Sequence, residues 1–187
     1  MKIKGKYLVI IILVLLVSIL SVSYSYFTGS VFSNKTNNTS INTGKVNLSI
    51  DDNGISANDM APIYDNDYEM LAFHKSFSII SSGDSLNSCA KLYLDIDNIS
   101  EGLKSEFFKY KIINNEIEKE GNFLNADSNS KMLLLDNEFI ESGTNMNYDL
   151  YIWVSYDENV DQTNMLKGQI KSNIYVEGFD SKENTCQ

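Results

Sequence analysis

The pattern of apolar and polar positions divides the chain into three stretches. Residues 7–17 are uninterrupted apolar side chains, Ile19 and Leu20 continue the run, and Lys2, Lys4 and Lys6 stand in front of it. A cationic start followed by an apolar stretch is the pattern of a secretory signal or a signal anchor. The lysines stay cytoplasmic under the positive-inside rule, so whatever follows is exported in either case. Residues 7–20 are shorter than the roughly 20 needed to span a bilayer, and counting on through Tyr26 and Phe27 reaches that length. Small residues at Ser21, Ser23 and Ser25 offer signal-peptidase sites after Ser23 or Ser25. The expectation is a signal peptide or signal anchor over residues 1–25, cut at one of those serines. Retained, it would hold the protein to the membrane as a single-pass anchor.

Residues 26–43 are rich in Asn, Ser and Thr with a few spaced apolar side chains, Phe27, Val31, Phe32 and Ile41. They read as a flexible N-terminal arm. From residue 44 the period becomes two, the signature of half-buried strands. Val46, Leu48 and Ile50 alternate with polar residues and run into the turn-like Asp51-Asp52-Asn53-Gly54. Phe73, Phe77 and Ile79 share one parity, broken by Lys75; Ala90, Leu92, Leu94 and Ile96 alternate with Lys91, Tyr93, Asp95 and Asp97. Phe108, Tyr110 and Ile112 form another set, as do Leu150, Ile152, Val154 and Tyr156, and Ile170, Ile174 and Val176. Residues 132–135 look like a fully buried strand, and only residues 100–107 and 159–167 suggest short helices. Seven or eight strands with polar connections and one Pro imply an all-β fold, an antiparallel β-sandwich of jelly-roll type over residues 44–178. Residues 179–187 read as a polar C-terminal tail.

Composition narrows the function. The 187 residues carry 15 basic side chains, all Lys, against 25 acidic ones, for a net charge of −10. Nucleic acid is excluded as a partner, because a polyanion needs clustered cations. With one His and two Cys, no zinc finger is assembled from these side chains, and neither metal nor cofactor is expected. Cys89 and Cys186 both lie in the exported part, where pairing is favoured; a bridge would tie the tail to the strand near Cys89.

Three constellations suggest chemistry. The run Asp157 to Asp161 begins like a calcium loop, but Gln162 replaces the turn glycine and Gly168 the bidentate Glu. Asp51-Asp52-Asn53 and Asp65-Asn66-Asp67 are similarly incomplete. Asp95 and Asp97 share a strand face at a spacing a carboxylate pair could use, though a wet strand face explains them as well. His74 stands in a strand pattern with no supporting nucleophile motif, and no hydrolase or phosphate-loop signature is present, so no catalytic residue is assigned. Tyr151, Trp153 and Tyr175 lie on polar parities; they form either an exposed aromatic patch for a ligand or partner, or packing beneath a loop.

The run Ser25-Tyr26-Phe27-Thr28 followed by Ile41-Asn42-Thr43-Gly44-Lys45-Val46-Asn47-Leu48 resembles exported proteins of the TasA/camelysin type. Residues 148–153 and 164–170 are similar to the closing strands of relatives from gut Firmicutes. The resemblance implies a jelly-roll domain released by a dedicated signal peptidase, building fibres at the cell surface or in a biofilm matrix. It makes residues 26–41 a donor strand, with Phe27, Val31, Phe32 and Ile41 as its anchors and a second copy of the chain as partner. Protease activity ascribed to camelysin relatives is not carried over, because no zinc motif is present. Lys-only, Asn- and Ile-rich usage fits a low-GC Gram-positive bacterium. The alternative is a membrane-anchored surface domain that binds a ligand or host partner.

Overall fold

The computed structural model describes residues 39–42, 47–51, 54–115, 117–181 and 186. The signal segment, Ser23 and Ser25 within it, and the arm residues Phe27, Val31 and Phe32 lie outside the described residues. Among the described residues no helix is long and apolar enough to cross a membrane.

The described chain is mostly β-strand. In order it forms β1 (Thr39–Asn42), β2 (Asn47–Asp51), β3 (Ile55–Asn58), β4 (Pro62–Ile63), β5 (Phe73–Ser81), β6 (Ser88–Ile99), β7 (Phe108–Ile113), β8 (Glu118–Asn122), β9 (Ser130–Ile140), β10 (Asn145–Ser155) and β11 (Gln169–Asp180). The larger sheet has the order β1-β2-β5-β10-β7-β8, with β4 running parallel along the end of β10. The smaller has the order β3-β11-β6-β9, and every pairing other than that of β4 is antiparallel.

Period-two strands with one apolar face must bury that face, and the two sheets bury theirs against each other. A single cluster joins Leu48, Ile79, Ile112 and Ile152 of the larger sheet to Leu92, Leu94, Ile174 and Val176 of the smaller. Across it, Tyr148 stacks on Phe77 at 5.3 Å and reaches Glu138 Oε2 with its hydroxyl at 3.3 Å. The strands read from alternation at 46–50, 73–79, 90–96, 108–112, 150–156 and 170–176 correspond to β2, β5, β6, β7, β10 and β11. Gly54 takes φ +83°, a backbone open to glycine at no steric cost, where the Asp-Asn-Gly turn was expected.

Where alternation failed as a guide, the ladder is irregular. Residues 132–135 are not a fully buried strand: they lie in β9, an edge strand in which Leu133 is 37% exposed and Met132 half-buried. The β6–β9 register shifts twice, and Asn137 has φ +59°, so Leu134 and Leu135 are buried side by side. In β6, Asp97 is the extra residue opposite the Lys171/Ser172 step, which lets Ile96 and Ile99 both face inward. The helices expected at 100–107 and 159–167 are turns, the first beginning with the 3₁₀ turn Glu101–Leu103. The arm expected over 26–43 ends inside the larger sheet, since Thr39–Asn42 pairs with β2 of the same chain and Ile41 sits opposite Leu48.

Inward and outward positions on β6 make a direct check. Leu94→Ala, at 0% exposure, is expected to cost about 3 kcal/mol. Asp95→Ala, facing the other way, should stay within about 0.5 kcal/mol. Denaturant unfolding of the two variants tests the assignment.

Candidate functional site on the outer face of the larger sheet

The side chains of β5, β10 and β7 that point away from the core form a polar and aromatic array. Register sets its rungs: Tyr151 lies between His74 on β5 and Lys111 on β7, Ser76 lies opposite Asp149, and Ser78 opposite Asn147. Ser78 donates to Asn147 Oδ1 at 2.7 Å, Ser76 donates to Asp149 Oδ1 at 2.6 Å, and His74 Nε2 is 2.8 Å from the same oxygen. Ser76 and His74 hold the Asp149 carboxylate below its ordinary pKa, against a smaller opposing effect of burial.

One end of the array is roofed. Between β4 and β5 the chain makes a 3₁₀ turn, Asp65–Asp67, and a single helical turn, Tyr68–Leu71. Tyr68 lies against Trp153 at 5.5 Å and meets Tyr151 edge-on at 5.1 Å, while His74 stacks on the other part of Tyr151 at 4.6 Å. Lys111 Nζ sits 4.5 Å from the Tyr68 ring centre and pairs with Glu118. Asp65 fastens the roof: it accepts from Trp153 Nε1 at 2.8 Å and from Lys109 at 2.6 Å. Burial pushes the Asp65 carboxyl up, but hydrogen bonds from Lys109, Trp153 and Ser155 outweigh it and leave the carboxyl below the usual range. Trp153 is therefore 2% exposed although it faces away from the core cluster.

The geometry separates the sequence readings. Tyr151, Trp153 and Tyr175 do not make one patch: Trp153 is packed beneath a turn, and Tyr175 lies on the other sheet beside Tyr93, with Lys131 Nζ 3.4 Å from its ring centre. Ser76, His74 and Asp149 bring the residue types of a hydrolytic triad together, but the serine proton is directed to Asp149, and His74 meets Asp149 through the nitrogen that lies 3.4 Å from Ser76 Oγ. A base must accept the serine proton through that nitrogen, so this trio is a hydrogen-bonded clasp between β5 and β10. Asp95 is half-buried and Asp97 occupies the bulge, 3.5 Å from Asn173 Nδ2, so the two do not flank a cleft. The carboxylates of 157–161 turn onto their own loop: Asp157 accepts from the Asn159 backbone at 2.8 Å, and Asp161 from the Thr163 hydroxyl at 2.6 Å. Asp65 is committed to Lys109 and Trp153; Asp52 and Asn53 lie outside the described residues. Among the described residues no cluster of three His, Cys, Asp or Glu could hold a metal.

Cys89 and Cys186 are joined in a disulfide, their Cα atoms 5.6 Å apart. Cys89 stands on the outward parity of β6 and outside the core cluster, so the bridge lies on the outer face of the smaller sheet. Tyr68 and Ser76 were missed in the sequence, and Asp65 was noted only in an incomplete calcium-like run, because only the fold places them beside Trp153 and Asp149.

Trp153 is the single tryptophan of the chain, so its fluorescence reports on the roof. Asp65→Ala is expected to shift the emission to the red and to cost about 1 kcal/mol, at the low end for a charged hydrogen bond because Asp65 is half exposed. The Asp65 carboxyl is lowered in the fold, so its contribution is present above the ordinary carboxylate pKa and lost as pH falls through the folded value. The same red shift should therefore set in below about pH 4. Cys186→Ser closes no loop across the 97-residue separation and should lower stability by about 4–5 kcal/mol on the loop-entropy estimate, measured by denaturant titration. Comparison with protein-family models, with curated proteins and with solved structures finds no match to this chain.

Proposed function

We propose that the chain is an exported, non-enzymatic protein of the cell surface or extracellular matrix of a low-GC Gram-positive bacterium. In this reading a signal peptidase cuts after Ser23 or Ser25, and the freed arm adds as a strand to the sheet of a second copy, giving a fibre. The sandwich is read as jelly-roll-like. The order β3-β11-β6-β9 in one sheet and β2-β5-β10 in the other, with the chain crossing between sheets at β2/β3, β3/β4, β5/β6, β6/β7, β8/β9, β9/β10 and β10/β11, supports that reading.

The observation that carries the proposal is the edge occupied by β1. Thr39-Ser40-Ile41-Asn42 is four residues long, uncharged and, among the described residues, paired to β2 alone. It is continuous with the arm, so one copy's arm can replace another's at β2 using the same backbone hydrogen bonds. Two of the remaining edges carry devices that discourage pairing. β8 alternates Glu118, Lys119 and Glu120, and β9 has two register shifts and the inward Glu138.

A second reading is a membrane-anchored surface domain that binds a ligand or host partner. It is favoured by the half-buried Tyr151 beside the exposed His74, Ser76 and Asn147 on the outer face of the larger sheet.

Intact mass and N-terminal sequencing of the protein from fractionated cells separate the two. A chain starting at Tyr24 or Tyr26 in the wall or medium, assembling at high concentration and failing to do so once residues 26–41 are deleted, is the expected result. A full-length chain confined to the membrane would overturn the fibre reading and leave the anchored binding domain.

A further inference from the structure

Three pairs of tyrosines stand ring to ring outside the core cluster: Tyr64 with Tyr156 at 5.2 Å between ring centres, Tyr68 with Tyr151 at 5.1 Å, and Tyr93 with Tyr175 at 6.1 Å. Their surroundings differ. Tyr68, Tyr151, Tyr93 and Tyr175 are half-buried, whereas Tyr64 is 65% and Tyr156 45% exposed. Lys111 Nζ lies 4.5 Å from the centre of the Tyr68 ring, and Lys131 Nζ 3.4 Å from that of Tyr175. An ammonium that close opposes removal of an electron from the ring, because it repels the positive charge left behind. Partial burial also pushes the phenols of Tyr93 and Tyr151 above their ordinary pKa, so each holds its proton more tightly. Among the described residues Lys111 and Lys131 are the cations placed over tyrosine rings, which leaves the pair Tyr64 and Tyr156 without one.

The backbone holds that pair side by side. β4 and β10 run parallel with Ile63 opposite Ser155, and the next step of the register brings Tyr64 beside Tyr156. Tyr156 donates its N–H to the Ile63 carbonyl at 2.7 Å. Neighbouring strands stand about 4.8 Å apart, a gap that two phenol side chains joined ring to ring can span. The rings meet edge to face at 75°, so the edge of one already points at the other.

We infer that Tyr64 and Tyr156 are a site of oxidative cross-linking, coupled as dityrosine by a one-electron oxidant of the class of a haem peroxidase with hydrogen peroxide. Each phenol gives one electron to the oxidant and its hydroxyl proton to water. The two phenoxyl radicals join through ring carbons next to the oxygens, and the hydrogen on each joined carbon then moves to the oxygen of its own ring. The protein loses two hydrogen atoms, and one hydrogen peroxide takes up two electrons and two protons to become two waters. Because the partners are already held together, coupling is unimolecular and outpaces coupling between separate molecules. The new carbon–carbon bond fastens the turn of residues 64–71 to the end of β10, beside the tie made by Asp65, and thiols do not reverse it.

The test treats dilute, folded protein with a peroxidase and hydrogen peroxide, then reads intact mass, dityrosine fluorescence and the joined peptides after digestion. A monomer lighter by two hydrogen atoms is expected, with one joined peptide pair carrying Tyr64 and Tyr156. Tyr64→Phe and Tyr156→Phe remove only exposed hydroxyls, so both should keep the near-ultraviolet circular dichroism of Trp153 and lose the cross-link with its fluorescence. Tyr68→Phe and Tyr93→Phe should keep the cross-link in full. The inference is overturned if dityrosine appears only in dimers, if the joined peptides pair Tyr68 with Tyr151 or Tyr93 with Tyr175, or if no dityrosine forms. It is equally overturned if Tyr64→Phe couples as fully as the parent chain.

Discussion

Each sheet has one face that cannot remain in water, and the fold follows from bringing those two faces together. The apolar sets on β6 and β11, taken with those on β5, β7 and β10, are useless to an isolated strand. Once Leu94, Ile96 and Ile174 meet Ile79, Ile112 and Ile152, their burial removes enough apolar surface to offset the entropy of ordering the chain. Tyr148 and Glu138 meet each other near the end of β9, and burial, reinforced by the neighbouring carboxylate, pushes the Tyr148 hydroxyl far above its ordinary pKa.

The same constraint decides what the outer faces can be. With the apolar parity spent on the core, the opposite parity carries Ser, Asp, Lys, His and Tyr, and apolar groups placed there must find other cover. Trp153 is covered by the turn fastened through Asp65. Cys89 is held by its bond to Cys186. These two buried residues outside the core cluster mark the places where the chain adds something to a plain sandwich, and both covers are made by segments outside the main ladders. Among the described residues the array of His74, Ser76 and Asp149 has no such cover, and its side chains satisfy one another across β5 and β10.

The sheet class was legible because six strands keep their apolar side chains on one parity, even where Lys75 and Ser172 interrupt it. Alternation did not reveal β8, whose Glu118-Lys119-Glu120 has no apolar face, nor β3 and β4, which are too short for a period to show. It misread 132–135, since a register shift places two successive residues on one side and a run of leucines then looks wholly buried. Trp153 was legible as lying off the apolar parity, but its roof was not, because residues 65–71 are distant in sequence and meet it only through the pairing of β4 with β10. The neighbours of Asp149 were hidden for the same reason: sequence gives parity within a strand, and only register gives the partner across it.

The account rests on a firmly held two-sheet core with a weakly held strand at one edge of the larger sheet. Native-state hydrogen exchange resolved to individual amides tests both halves at once. β6 and β10, with hydrogen-bonded neighbours on both sides over much of their length, should exchange only through global unfolding, while Thr39–Asn42 opens at a small fraction of that free energy. Protection of β1 equal to that of β10 would contradict the account, as would fast exchange through β6 and β10.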